Sequence, residues 1–507
     1  MTNMKFKLSA LIVLCALAIT DMMAQHRGDC GVTHEMEQQL PVYSQKDIDL
    51  YKEAHPERFA AINIPVMFHT VADFEGEGRV KRRFILNSLC RMNRVYSNYG
   101  IAFYLKDGGF NEIDNTGLFS NAGNNGNLVV NNKDGAAVDI FITENADTGS
   151  DLGTTLGFYS PGGDYIIIRK QEMQDSSGTM SHEVGHYFSL RHPHSGWGQE
   201  PYDVDQYGIQ VPWTNVPWTG ALIELMDGSN CNTAGDGLCD TPPDYLQGFS
   251  SGYCGDNFGI LDYNGDPLES QANLSMGYFS DCAKYVFSPQ QVDRMKVNIA
   301  SPSRNFLDNT HTPNETEITG VLEITSPSQG VTIDTYNGVE LTWTGVENAD
   351  NYLVEITNFA DPTDFYEYVS TTEGIYITDL EPEKTYQALI KPFNDAYTCF
   401  PHEATVFVTG NIATSTEDPS FVSNFVVYPN PSSNTQDVII DMTSEWNGPA
   451  SLTITNIAGQ VVSNKSIQIQ NGQQQLVASQ GGDIQSGVYF IKLSTAQGNV
   501  TRKLVIQ

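Results

Sequence analysis

The amino-acid sequence predicts a multidomain protein in which one α/β domain, of the α+β type, precedes two all-β sandwich domains. The chain has 507 residues, more than one hydrophobic core usually serves. Residues 61–305 combine strand-like apolar runs with segments of helical periodicity. From residue 321 onwards the apolar runs are short and alternating, and turn formers separate them, which is typical of sandwiches.

The first residues have the pattern of an export signal. Lys5 and Lys7 precede an apolar run at residues 8–19, and Ala24 provides a small residue for cleavage. A run of this length is too short to span a bilayer comfortably, and no second long apolar run follows. We therefore expect residues 1–24 to be a signal peptide, and the exported protein not to be an integral membrane protein.

The charge balance excludes one class of partner. Asp and Glu number 61 against 27 Lys and Arg, which gives a formal net charge of −34. A nucleic-acid-binding protein needs clustered basic side chains to neutralise phosphates. We therefore expect no nucleic-acid partner.

The cysteines of an exported protein meet oxidising conditions, in which disulfides form. Four of the eight cluster in the middle of the chain: Cys231, Cys239, Cys254 and Cys282. Two disulfides are expected among them, and their spacing leaves all three pairings open. Cys30, Cys90 and Cys399 stand apart from this cluster.

Periodicity predicts the elements of the α/β domain in chain order. Strands are expected at residues 62–69, 101–105, 138–142 and 165–169. A helix is expected at residues 84–99, where Gly100 ends it, and another at residues 179–190. Ser288 and Pro289 predict the cap and the first position of a closing helix.

The second of these helices carries a metal-binding pattern, His182-Glu183-Val-Gly-His186 followed by His192. Four residues of helix advance about 400° and about 6 Å, so His182 and His186 project from one face and can share an ion. Glu183 lies beside them, where it can take a proton from a metal-bound water. This pattern predicts zinc, with His192 as the third ligand.

His192 can join the other two only if the chain leaves the helix and turns back, because six further helical residues would point it away. Such turns favour a glycine, which adopts positive φ without strain. Ser189 occupies that place here. We expect it to be forced into this conformation at a cost of about 1 kcal/mol.

Two alternatives stay open on the residues alone. In one, the third ligand is a downstream glutamate, Glu200 or Glu224, and His192 is incidental. In the other, the protein is a secreted adhesin or binding protein whose metal is structural. Replacing His192 tests the first alternative, and replacing Glu183 tests the second.

Three downstream motifs add a family resemblance. Met276-Gly-Tyr278, Cys239-Asp-Thr-Pro-Pro-Asp244 and Phe287-Ser-Pro-Gln-Gln-Val-Asp-Arg-Met295 resemble the pappalysin or cytophagalysin branch of the metzincin metalloproteases, across residues 62 to 300. The resemblance implies a metzincin catalytic domain over residues 61–305, acting as a zinc metalloendopeptidase on protein or peptide substrates. It also implies two disulfide pairs, Cys231–Cys254 and Cys239–Cys282.

The resemblance assigns roles around the metal. Glu183 becomes the general base on a zinc-bound water, and Met276 forms the Met-turn beneath the metal. Tyr278 is expected to hydrogen-bond the oxyanion. Asp281 matches an aspartate that closes the specificity pocket and selects Arg or Lys after the cut; a solvated loop carboxylate is the alternative.

Residues 25–60, called the propeptide below, contain Arg27-Gly-Asp-Cys30-Gly31. Relatives in this family use a propeptide cysteine followed by glycine as a latency switch, so Cys30 is expected to be a zinc ligand of the latent form. A disulfide with Cys90 is the alternative. Activation then requires a cut between Cys30 and Ile62, for which the basic residues Lys46, Lys52 and Arg58 offer sites.

Calcium is a second expected metal. Four residues supply hard oxygens close together in sequence: Asp236, Asp240, Thr241 and Asp244. Relatives bind calcium near the active site, although the same residues are also common turn formers.

The last two units differ in their motifs. Residues 321–411 resemble a fibronectin type III sandwich, with Trp343 in the core and Tyr386 at the tyrosine corner. Residues 425–507 carry Val427-Tyr-Pro-Asn-Pro431, Gly487-Val-Tyr-Phe490 and Lys503-Leu-Val505. These resemble the sorting domain of type IX secretion cargo, which implies that the type IX machinery is a partner and that the protein reaches the cell surface or the medium.

Overall fold

A computed structural model describes residues 29–56, 61–147, 155–174, 176–198, 200–249, 252–280, 282–307, 311–413, 422–457 and 460–506. The predicted signal peptide, residues 1–24, lies outside these ranges. The α-helices are α1 (His34–Glu37), α2 (Gln45–Ala54), α3 (Arg82–Tyr96), α4 (Thr116–Asn121), α5 (Gly126–Asn131), α6 (Thr179–Tyr187), α7 (Val204–Tyr207) and α8 (Pro289–Ala300).

The strands of the described residues fall into three units along the chain. The first unit contains β1 (Asp29–Cys30), β2 (Ile62–Ala72), β3 (Ile101–Asp114), β4 (Val138–Thr143), β5 (Thr155–Ser160) and β6 (Tyr165–Arg169). The second contains β7 (Ile324–Ser326), β8 (Thr335–Asn337), β9 (Val339–Trp343), β10 (Asn351–Asn358), β11 (Phe365–Ser370), β12 (Gly374–Ile377), β13 (Thr385–Phe393), β14 (Glu403–Val408) and β15 (Ile412–Ala413). The third contains β16 (Val422–Tyr428), β17 (Val438–Ser444), β18 (Gly448–Asn456), β19 (Val461–Ile469), β20 (Gly472–Ser479), β21 (Gly487–Thr495) and β22 (Gly498–Ile506).

The first unit is built on one mixed sheet with the order β1-β5-β6-β4-β2-β3. Strands β3, β2, β4 and β6 are parallel, and β5 runs antiparallel to β6. The outer edge of β5 pairs in parallel with β1, the short strand that contains Cys30. The segment containing Cys30 is thus part of the sheet, at the edge next to the strands on which helix α6 packs.

The predicted strands and helices of this unit are confirmed, but β3 continues to Asp114, nine residues beyond its predicted end, and α6 ends at Tyr187, three residues before its predicted end. Helix α3 ends in a 3-10 turn, Ser97–Tyr99, and Gly100 follows with φ of 72°. Ser288 caps α8 by accepting from the Gln291 amide, and Pro289 occupies the first turn. Helix α6 packs against β5 and β6.

The second unit consists of a four-stranded sheet, β11-β10-β13-β14, a three-stranded sheet, β12-β9-β7, and a two-stranded sheet, β15-β8. Trp343 is buried in its core, and the Tyr386 hydroxyl accepts a hydrogen bond from the Glu381 amide at 3.0 Å. This backbone contact a few residues upstream is the geometry of a tyrosine corner. The third unit is a second sandwich, with sheets β16-β17-β20 and β19-β18-β21-β22.

The expected pairing of the clustered cysteines is wrong in this structure, which joins Cys231 to Cys239 and Cys254 to Cys282. Successive turns fold residues 230–237 back on themselves and bring the first two together. The Cys254 amide donates to Ser280, which places that cysteine beside the segment containing Cys282.

Cys90 pairs with Cys399 and thereby joins α3 of the first unit to the second unit. The alternative disulfide between Cys30 and Cys90 is therefore wrong, and the buried Cys30 belongs to none of the three disulfides. Among the described residues, no helix is both long and apolar enough to cross a membrane.

Candidate metal centre

The candidate metal centre lies at the C-terminal end of α6, where three imidazoles meet a thiol. The Nε2 atoms of His182, His186 and His192 lie 3.0 to 3.2 Å from one another. The Cys30 sulfur lies 3.5 Å from His186 Nε2. All four residues are buried, and their ligand atoms lie within 4.8 Å of one another.

This spacing fits a tetrahedral ion. With metal–nitrogen distances of about 2.0–2.1 Å, two nitrogens of a tetrahedral zinc site lie about 3.3 Å apart. A thiolate at about 2.3 Å from the metal lies slightly further from each nitrogen. In the described part of the chain, these residues form the one group of three or more His, Cys, Asp or Glu side chains close enough to hold a metal.

The outer nitrogen of each ring has an acceptor, which leaves Nε2 as the metal-facing atom. His182 Nδ1 donates to the Ser275 carbonyl and His186 Nδ1 to the Leu190 carbonyl, both at 2.8 Å. His192 Nδ1 donates to the Glu37 carboxylate at 2.7 Å. Such outer partners fix the tautomer and the orientation of metal-ligating histidines.

Burial also favours the neutral rings. It lowers the pKa of His182 to about 4, and it lowers the pKa of His186 and of His192 well below the usual range. Repulsion between neighbouring imidazoles lowers these pKa values further. The rings are therefore uncharged at neutral pH, with their lone pairs available to a metal.

The turn that brings His192 back to the site is centred on Ser189, whose φ is 72°. This confirms the positive φ that the sequence predicted for a non-glycine residue here. Its hydroxyl accepts a hydrogen bond from Asn298 of helix α8 at 2.5 Å. The Leu190 amide returns to the Gly185 carbonyl, which ends the helix and redirects the chain.

Two predicted residues lie beneath and beside the rings. Met276 is fully buried under α6, where a β-carbon on Gly185 would lie only 2.4 Å from its sulfur. The Tyr278 ring lies 5.8 Å from the His182 ring and 5.0 Å from the His192 ring. Its hydroxyl donates to the Cys30 carbonyl at 3.4 Å.

Glu183 is fully buried on α6, next to the first ligand in sequence. Asp281, the expected specificity residue, lies outside the residues that the structure describes. Neither Glu200, which is exposed, nor Glu224 belongs to the metal-binding group. The structure thus brings His192, and not one of these glutamates, to the other two imidazoles.

The four expected calcium ligands do not converge as a group. Thr241 donates to Asp236, while the Asp240 carboxylate accepts from Ser288 and from the Gln290 amide at the start of α8. Asp244 accepts from the Gln247 amide. In the structure these oxygens cap a helix and close turns, and calcium binding by them stays a prediction.

Sequence reasoning missed two residues of this centre. Glu37 lies in the polar propeptide, where no periodicity or motif marks it. His194 follows the third ligand by two residues and stacks on its ring, with centroids 4.5 Å apart. A second histidine two residues after a predicted ligand is the signal in the sequence that marks His194.

Comparison with known proteins identifies the end of the chain. Residues 426–507 match the family described as the secretion system C-terminal sorting domain. This match indicates type IX secretion to the extracellular space or the cell surface, with the secretion machinery as a partner. No curated protein matches the chain.

Several solved structures are similar to part of this chain, each with a low TM-score. The FN1–FN3 domains of chicken CNTN1 are similar at 13% identity, over 38% of this chain and 65% of that chain, with a TM-score of 0.15. A two-domain fibronectin type III segment of chicken tenascin is similar at 11% identity, over 37% of this chain and 99% of that chain, with a TM-score of 0.14. The fn3 domain of human collagen alpha-1(XX) chain is similar at 17% identity, over 22% of this chain and 96% of that chain, with a TM-score of 0.15. This chain therefore spans less than two thirds of the first of these structures.

Proposed function

We propose that this protein is a secreted zinc metalloendopeptidase of the metzincin class, made as a latent precursor. The observation that carries the proposal is the triangle of Nε2 atoms from His182, His186 and His192, each fixed from behind by an acceptor. Glu183 lies on the same helix as the first two ligands, which is the arrangement that zinc peptidases require.

A zinc ion held by these imidazoles would supply the Lewis acid that activates water and polarises the scissile carbonyl. Glu183 would take the proton of the attacking water and pass it to the leaving amine. The Tyr278 hydroxyl, which donates to the Cys30 carbonyl in the precursor, would donate to the substrate carbonyl oxygen as negative charge develops there.

The position of the propeptide supports latency. Cys30 places its sulfur against the imidazoles, and the next residue, Gly31, donates to the Gly157 carbonyl on strand β5 at 2.8 Å. The propeptide therefore covers the edge of the sheet, and with zinc bound the Cys30 thiolate would be a further ligand beside the three imidazoles. After its removal, an extended substrate would pair with this edge.

The test is a peptide-library digest by the processed enzyme, with and without a zinc chelator. We expect cleavage that the chelator abolishes and that added zinc restores. Glu183→Gln should lower kcat by about a thousandfold or more while zinc content stays near one ion per chain. A cut before Arg or Lys would support Asp281 as the specificity residue.

The alternative, an adhesin with a structural metal, makes the opposite prediction. It expects no cleavage in any library and no effect of Glu183→Gln beyond small changes in stability. Zinc bound at full occupancy without any peptide hydrolysis by the processed protein would favour that alternative.

A further inference from the structure

Among the propeptide residues that the structure describes, Glu37 is an acidic side chain buried against the candidate metal centre. It ends helix α1 and is 2% exposed. One carboxylate oxygen accepts from both the ring Nδ1 and the backbone amide of His192, at 2.7 and 2.8 Å. The other accepts from the Ser195 hydroxyl at 2.6 Å.

The three ligands differ in where their outer partners come from. His182 and His186 donate to the carbonyls of Ser275 and Leu190, which belong to the catalytic unit. His192 donates instead to a carboxylate of the propeptide. Removal of the propeptide therefore leaves two ligands with their outer partners in place and takes away the outer partner of the third.

We propose that Glu37 is a positioning residue of the latent metal centre, so that the propeptide binds this centre from two sides. Cys30 contacts the ligand set from within, and Glu37 orients His192 from outside. This inference rests on the proposed function. It predicts that the precursor holds zinc more tightly than the processed enzyme does, for a reason beyond the loss of the thiolate.

The chemistry of the contact supports this role. A carboxylate that accepts from Nδ1 keeps the proton on that nitrogen and aims Nε2 at the metal. It also makes Nε2 a stronger electron-pair donor to the metal. Loss of such an outer partner typically lowers metal affinity by 10- to 100-fold. The contacts to the His192 amide and to Ser195 also hold the segment that follows the turn at Ser189.

The test measures zinc release from the full-length precursor in a Glu183→Gln background, which prevents self-processing. A metallochromic chelator in excess reports the rate. We expect Glu37→Ala to accelerate release by at least tenfold and Glu37→Gln to have a smaller effect, because the amide oxygen still accepts from His192. Glu35→Ala, an exposed neighbour on the same helix, is the matched control and should release zinc at the parental rate.

Two further measurements separate positioning from general stability. In the cobalt-substituted precursor, Glu37→Ala should shift the visible d–d absorption while the sulfur-to-cobalt charge-transfer band of Cys30 remains. After proteolytic removal of the propeptide, the variant and the parent should release zinc at the same rate. A difference that persists after processing would overturn the proposal.

The outcomes distinguish this inference from the proposed function. If Glu37→Ala and Glu37→Gln release zinc as slowly as the parent, Glu37 has no positioning role, even if the processed enzyme cleaves peptides. If Glu37→Ala does not fold, Glu37→Gln and Ser195→Ala decide the question. If the parent binds no zinc, the proposed function fails first.

Discussion

At the scale of single residues, burial changes the ionisation of side chains outside the candidate metal centre as well. Glu224 shows this most clearly, since burial and the nearby Asp236 carboxylate raise its pKa to about 9. The carboxyl group is therefore protonated in the folded protein at neutral pH. It remains outside the metal-binding group, and its ionisation opposes folding.

This pKa predicts a pH dependence of stability. Because the pKa of Glu224 is higher in the folded state, its contribution to folding stability is fully present below the unfolded-state pKa of about 4.5. This contribution is lost as the pH rises towards the folded-state pKa of about 9. Glu224→Gln should therefore raise the midpoint of thermal unfolding at pH 8 and change it little at pH 4. Thermal scans at the two pH values check this.

The same variant tests the ligand set. Because the structure groups His192 with the other imidazoles, Glu224→Gln should keep full zinc content, whereas His192→Ala should lose zinc. If Glu224→Gln loses zinc and His192→Ala keeps it, the third ligand is Glu224 and not His192.

At the scale of elements, the sharp end of helix α6 is the feature that assembles the centre. Gly185 allows Met276 to lie directly beneath the helix, and the turn at Ser189 returns the chain towards the rings. A helix that continued regularly would carry His192 away from His182 and His186.

The turn predicts unequal effects on stability for two substitutions at Ser189. Both Ser189→Gly and Ser189→Val lose the hydrogen bond from Asn298, so their difference isolates the backbone. Glycine adopts positive φ freely, and that variant should stay within about 1 kcal/mol of the parent. Valine is strongly disfavoured there and should cost at least about 2 kcal/mol and reduce zinc content.

Urea unfolding and zinc analysis of the two purified variants provide the measurement. Equal stability of the glycine and valine variants would contradict a left-handed residue at this position. Greater destabilisation by glycine would show that flexibility of the turn matters more than strain.

At the scale of the whole molecule, the fibronectin-like unit is attached to the α3 face of the first unit. Besides the Cys90–Cys399 disulfide, the Arg83 guanidinium contacts the buried Glu355 carboxylate at 3.0 Å. The Leu105 amide donates to the Asp395 carbonyl at 2.8 Å, which adds a backbone bond between the units.

This attachment predicts that the two units unfold together and that the Cys90–Cys399 disulfide contributes to this coupling. Cys90→Ser with Cys399→Ser should lower stability by about 2–5 kcal/mol and split one thermal transition into two. The matched control, Cys254→Ser with Cys282→Ser, removes a bridge across 28 residues within one unit and should leave the units coupled. Calorimetry of both double variants checks this, and an unchanged single transition in the first would contradict it.

Removal of the sorting domain is expected to change where the protein is located and not how the other two units fold. Its core is built from residues 422–506, so removing residues 426–507 should leave the other two cores intact. In a bacterium with type IX secretion, the truncated protein should remain inside the cell while the full chain reaches the medium or the surface. Immunoblots of cell fractions measure this; export of the truncated protein would contradict it.

The sequence by itself determined what is local. The spacing of His182, Glu183 and His186, the cap at Ser288 and the alternation of the β-rich segments each depend on the geometry of a single element. The sorting domain, too, is identified by short local motifs that occur in order along residues 427–505.

Only the tertiary structure decided contacts between distant segments. The pairing of Cys254 with Cys282, the bridge from Cys90 to Cys399 and the contact of Glu37 with His192 depend on how loops and units fold back on one another. Periodicity carries no information about such contacts, because the physical interactions that select them act between groups far apart in sequence.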